Sequence, residues 1–337
     1  MALSGRVQSN RGRLRPSAEG SLVLLLMLAA AACGRAAVKI NDVGASPTAA
    51  SRTTVDYAAP IRTLSPTPPP TPSPTPTVVP AQSYFPAHRI VAYYGNPLSP
   101  ILGVLGDGDP EQVIAKLRQQ AAAYAAADPT RQVTPALELI ESVAQDTPTD
   151  NNLYLYDTDP AVVDQYQSMA TKNGMLLILD EQIGRSTPEA EVQRILPRLS
   201  AANVAVALDP EFEMPPGEVP GTDIGSIDAT QINDVQAMLE QAAIQNGLPS
   251  KILIVHQFQF GMITHPELLR TYPHVDLVLN ADGFGDRATK LAKYQALITN
   301  RPLGHAGVKL FYKYDTNLWS PADVLQLDPP PDVVIYQ

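Results

Sequence analysis

From residue 87 to residue 337, apolar runs and helix-patterned runs take turns. That alternation restricts the chain more than any other feature. Eight apolar runs read as strands: 89–95, 135–144, 174–182, 203–213, 251–258, 275–283, 307–315 and 332–337. The segments between them carry helix grammar. "DPEQVIAKLRQQAAAYAAA" opens with Asp109 as cap and Pro110 at the first helical position. "TPEAEVQRILPRLSAA" repeats this with Thr187 and Pro188, and "DATQINDVQAMLEQAAIQNG" runs from Asp228 to a closing Gly247. Strands separated by helices pair in parallel. Eight of them in about 250 residues predict an α/β fold, a (β/α)8 TIM-type barrel. An open doubly wound sheet is the alternative. It lacks a phosphate-binding turn, because "GVLGDGDP" (103–110) lies past the first strand with the wrong glycine spacing. The chain ends on its eighth strand without a final helix, and residues 78–88 are expected to cover that gap.

Upstream the composition changes. "SPTPPPTPSPTPT" (65–77) is low in complexity and holds many of the chain's 33 prolines, so it predicts an extended, unpacked stalk. The first residues are basic (Arg6, Arg11, Arg13, Arg15). "SLVLLLMLAAAA" (21–32) follows, shorter than the roughly 20 residues of a membrane span. That order is a signal peptide's. The sequence thus divides into a signal peptide (1–32), a Pro/Thr/Ser-rich linker (33–86) and a barrel domain (87–337). Ala30-Ala31-Ala32-Cys33-Gly34 resembles the lipobox of bacterial lipoproteins. The resemblance implies lipidation at Cys33 and a lipid-anchored chain on the extracytoplasmic side of the cell membrane. Cys33 is the only cysteine, so no intramolecular disulfide can form.

The formal charge is −10, and removal of residues 1–32 takes away four Arg and one Glu to leave −13. Such a chain is unsuited to nucleic acid, whose phosphates need Lys and Arg. A monomer is expected, acting on a glycan or small-molecule ligand without a cofactor.

Barrels of this class work at the C-terminal ends of their strands. Those ends carry Tyr94, Glu138, Asp180, Asp209, Glu211, His256, Gln257, Asn280, Asp282, Lys309 and Tyr314. Polar loops after strands account for Glu141, Glu181 and Glu213. They do not account for Glu138, which sits between Leu137 and Leu139 and needs a buried partner, for which Lys309 is a candidate. In "VAVALDPEFEM" (204–214), alternation puts Asp209 and Glu211 on one face with Ala205 and Ala207. Val204, Val206 and Leu208 take the other face, under the helices. The carboxylates should therefore point into the barrel mouth. Carboxylates crowded in a cleft titrate apart, and glycosidic cleavage uses such a split pair. Asp209, Glu211 and Glu138 are the expected catalytic residues. The other eight are expected to bind substrate, with Tyr94, Tyr314 and Trp319 candidates to stack on sugar rings. Trp319 reads equally as a core residue and His256 as a structural histidine. No metal is expected. His265 is nine residues from His256, no H-x-H or H-E-x-x-H occurs, and Asp109 of "GDGD" reads as a helix cap.

Asp209-Pro210-Glu211 and Glu211-Phe212-Glu213 resemble the D-x-E pattern after strand 4 of chitinase-like and muramidase-like glycoside hydrolases. That implies a glycoside-hydrolase-like barrel and carboxylate chemistry. Across the domain, "YYGNP", "PALELI", "ALDPE", "VHQF", "DGFG" and the terminal "YQ" resemble a group of bacterial envelope lipoproteins without an assigned activity. A non-catalytic carbohydrate-binding or scaffold barrel stays open beside the hydrolase.

Overall fold

The structure, a computed structural model, describes residues 81–300 and 303–337. The signal peptide, Cys33 and most of the Pro-rich linker lie outside the described residues. Eight parallel strands close on themselves. β1 (His88–Gly95) pairs on one side with β2 (Gln132–Ala144) and on the other with β8 (Val333–Tyr336). Between these run β3 (Leu176–Gly184), β4 (Val204–Glu213), β5 (Lys251–Gln257), β6 (Val275–Ala281) and β7 (His305–Leu310), in chain order. The expected TIM-type barrel is the observed architecture.

Helix grammar acts where the sequence placed it. α1 (Pro110–Ala127) is capped by Asp109, whose side chain accepts from the backbone of Glu111 and Gln112. α4 (Ala229–Asn246) starts on a capping box at Asp228 and stops at left-handed Gly247. α2 (Pro160–Asn173) and α5 (Arg287–Tyr294) use Asp159 and Asp286 in the same way. α3 (Pro188–Ile195) is cut short, since Pro197 has no N–H to continue it and the chain tightens into a 3-10 turn. α6 (Pro321–Val324) is a single turn. The β5–β6 connection holds only the 3-10 turn Pro266–Leu268 and the strand Ile263–Thr264, which pairs with Ile227–Asp228.

Of the segment 78–88, the described residues 81–88 do not stand in for a missing eighth helix. The outer face of β8 is covered instead from α1, where Tyr124 Oη lies 2.8 Å from Tyr336 Oη and Gln120 donates to the same oxygen at 3.0 Å. The segment just before β1 closes the barrel floor. The Tyr84 backbone N–H donates to Asp276 at 2.7 Å, and its hydroxyl donates to Thr134 at 2.7 Å. Phe85 is buried in the barrel interior, its ring 4.5 Å from that of His305. The packed body therefore begins upstream of residue 87.

Two apolar layers follow from strand alternation. Ile90, Ala92, Ala136, Ile178, Ala205, Ala207, Ile252, Ile254, Val278, Val333 and Ile335 fill the lower barrel. Val91, Leu137, Leu139, Leu177, Val204, Val206 and Leu208 face the helices, as parity on β4 predicts. Trp319 belongs to this outer layer, so it is a core residue rather than a sugar platform.

Candidate functional site

Above the apolar floor the barrel interior turns polar. The inward positions of successive strands supply Tyr94, Glu138, Asp180, Gln182, Asp209, His256, Asn280, Asp282 and Lys309, all buried, with Glu211 half-buried above Asp209. Register explains the convergence. Tyr94 is level with Glu138, Asp180 with Ala207, Gln182 with Asp209, and His256 with Asn280.

His256 is at the centre. Its Nε2 lies 3.1 Å from Glu138 Oε1, and its Nδ1 lies 3.3 Å from Asp282 Oδ2 and 3.1 Å from Asn280 Nδ2. Glu138 therefore pairs with His256 and not with Lys309, the partner suggested by the sequence. Lys309 pairs with Asp282 at 3.3 Å, and its ammonium sits 3.4 Å from the Tyr94 ring centroid. Tyr94 donates to Asp209 Oδ2 at 3.2 Å, and Gln182 donates to the same oxygen at 3.4 Å. Gly307 leaves room for this arrangement, since a Cβ there would lie 2.6 Å from Asn280 Oδ1.

Asp180 differs from its neighbours. It is fully buried, and neither of its oxygens has a hydrogen-bond partner. Glu138 Oε2, Asp209 Oδ1 and Glu211 Oε2 are also buried without one. One oxygen each of Asp180 and Asp209 and one nitrogen of His256 lie within 4.8 Å of one another.

The charges act strongly on each other at this depth. Burial and then the Asp209 charge push the Asp180 carboxyl well above the usual range. Burial, Asp209 and Asp282 do the same to Glu211. Burial disfavours imidazolium at His256, but Asp209, Asp282 and Glu138 together outweigh it and raise the group. Burial likewise opposes charge on Asp282, yet Lys309 and His256 hold its carboxyl low.

Two expected residues stand apart. β7 ends at Leu310, five residues before the expected end, because Asp315 folds back and accepts from the Phe311 backbone N–H at 2.9 Å. Tyr314 thus sits in the following turn, 37% exposed and 5.5 Å from the Phe284 ring, not beside the interior cluster. Gln257 alternates to the opposite face of β5 from His256. Gln182 was missed as a site residue, although its parity with Asp180 on β3 marks it as inward. The carboxylates expected to be catalytic lie deeper than a rim, with Glu211 alone part exposed.

The rim above is apolar and aromatic. Leu98 and Ile101 after β1, Phe260 after β5 and Tyr314 after β7 are all exposed on the loops of this face. His265 lies on an exposed loop and meets Asp228 at 2.6 Å, outside the cluster. Asp107 of "GDGD" pairs with Lys313 at 3.2 Å.

Glu141 and Glu181, on the outer faces of β2 and β3, meet elsewhere. Arg194 of α3 binds Glu141 through both carboxylate oxygens, Glu181 at 2.9 Å and Glu191 at 3.1 Å, with Asp157 at 3.8 Å. No known protein-family pattern and no curated protein sequence matches this chain.

Proposed function

We propose that this barrel is a carbohydrate-active hydrolase held at the extracytoplasmic membrane surface through Cys33. The observation that carries the reading is the placement of carboxylates on β3 and β4. Asp180 and Asp209 approach within 4.8 Å of each other, and Glu211 stands two residues above Asp209 at the half-open end. Glycosidic cleavage uses two carboxyl groups set close together about one bond. Tyr94 and Gln182 orient Asp209 and leave Asp180 undressed, so the two acids are not equivalent. Glu211 is the residue that reaches incoming substrate and would serve as proton donor and acceptor, with Asp209 the charge beneath it. Exposed Phe260 and Tyr314 give the rim flat apolar faces of the kind sugar rings stack on.

Glu211→Gln should fold as the wild type does and lose hydrolysis of cell-wall and chitin-type oligosaccharides by at least about 100-fold, as expected for removal of a general acid. Reducing-end release measures it. Wild-type turnover by Glu211→Gln would rule this residue out as the acid.

The depth of the cluster favours a second reading. Glu138 and Asp180 are fully enclosed, and Leu102 of the loop after β1 packs against the interior from above. A barrel that binds a glycan on its rim without cleaving it would have this form. It predicts saturable binding of an oligosaccharide by a wild-type protein that releases no reducing ends.

A further inference from the structure

Asp180 has no partner for either oxygen although no part of it reaches solvent. Buried carboxylates in folded proteins are paired, hydrogen-bonded or bound to metal. The groups nearest to it include an oxygen of Asp209 and a nitrogen of His256. For three atoms within 4.8 Å of one another, some point lies no more than about 2.8 Å from all of them. Zinc bonds to oxygen and nitrogen are about 2.0 to 2.2 Å. An ion would draw the three side chains in by that difference.

The surroundings match what a metal-bound imidazole needs. A ligating histidine gives its other ring nitrogen to a carboxylate. His256 has Glu138 at Nε2, and its Nδ1 faces both Asp282 and the Asn280 amide, so an ion at Nδ1 would leave Nε2 its carboxylate. Charge also favours a cation. Glu138, Asp180, Asp209 and Asp282 line the interior and outnumber its two basic groups, Lys309 and His256.

We propose that Asp180, Asp209 and His256 bind one divalent transition ion of the zinc type inside the barrel, one level below Glu211. The set of two carboxylates and one imidazole fits zinc. It is too poor in oxygen for calcium, which takes six to eight oxygen ligands. The proposal does not rest on the glycan reading, although with an ion bound Asp209 is a ligand and not a nucleophile.

The test uses the full chain, stripped with chelator and titrated with zinc chloride alone. One ion per chain should stay bound through desalting and raise the melting temperature. Asp180→Asn should weaken binding at least 100-fold. Asp164→Asn, on the exposed side of α2, should leave it unchanged and so separate the site from diffuse attraction to an acidic surface. Cobalt in place of zinc should give the wild type the visible absorption of a four-coordinate ion with a nitrogen ligand, a readout that does not need Asp180→Asn to fold. Failure to retain one zinc per chain, retention unaffected by Asp180→Asn, or a cobalt spectrum of the free aqueous ion would each overturn the proposal. None of these results depends on a glycan, so the hydrolase reading stands or falls separately.

Discussion

β2 and β3 each carry acids on both faces, and the two faces treat them in opposite ways. Outward, Glu141 and Glu181 converge on Arg194, which also reaches Glu191 and Asp157. Inward, three residues before Glu141 and one before Glu181, Glu138 and Asp180 enter a cluster whose cations are Lys309 and the imidazole of His256. The outer group is organised around a single guanidinium, whose planar fork matches carboxylates two atoms at a time. It ties α3 to the wall. In the inner group Asp180 has no donor at all. Acids that hold a wall together are met by a fixed charge. Acids left bare in the same wall are available to something that arrives.

The largest expected effect would break the outer group. Arg194→Met should cost about 3 to 5 kcal/mol, because it strands several carboxylates, Glu181 fully buried among them. Urea denaturation followed by circular dichroism measures this. A cost below 1 kcal/mol would mean that Arg194 does not organise the group. Asp180→Asn tests the inner group with the opposite sign. In chelator it should leave stability unchanged or raise it by about 0.5 to 2 kcal/mol, since it replaces an unpartnered buried acid that its neighbours repel. A large loss would make Asp180 a structural acid like Glu181.

The smallest effect comes from a carboxylate at the surface and sharpens the scale. Asp128 pairs with buried Arg89 at 2.8 Å, and the hydrogen bonds from Thr130 and Arg89 lower its carboxyl to about 2. Its unfolded value is about 3.9, so the folded protein holds the ionised form more tightly. The stabilisation is complete above about pH 4 and is lost as pH falls through about 2. Asp128→Asn should therefore be less stable than wild type at pH 7, by less than the Arg194 change because Asp128 is well solvated. The gap should close in acid melts near pH 2. A gap that persists there would assign it to packing.

Much of the wall was legible in the sequence. Alternation on β4 placed Ala205, Ala207, Asp209 and Glu211 inward, and leucines on either side of Glu138 marked it as buried. The pairing of Glu138 with His256 was not legible. β2 and β5 are separated by two strands, and strand period carries no information about what meets across a closed barrel. Tyr314 was misplaced because a side chain, Asp315, ended the strand that an apolar run seemed to continue. The pairing of Ile263–Thr264 with Ile227–Asp228 in the β5–β6 connection was not legible either, because two residues are too few to show a strand period.

The chain enters the barrel through its floor, where Tyr84 is tied to Asp276 and Thr134 and Phe85 fills the interior. Glu211 and the aromatic rim are at the other end, along strands that rise about 3.3 Å per residue. The chain at Gln82 therefore enters at the closed end, and the strands carry the polar interior away from it. A force applied to the chain at Gln82 would load the Tyr84 and Phe85 contacts first and leave the open end, with Glu211, unstrained.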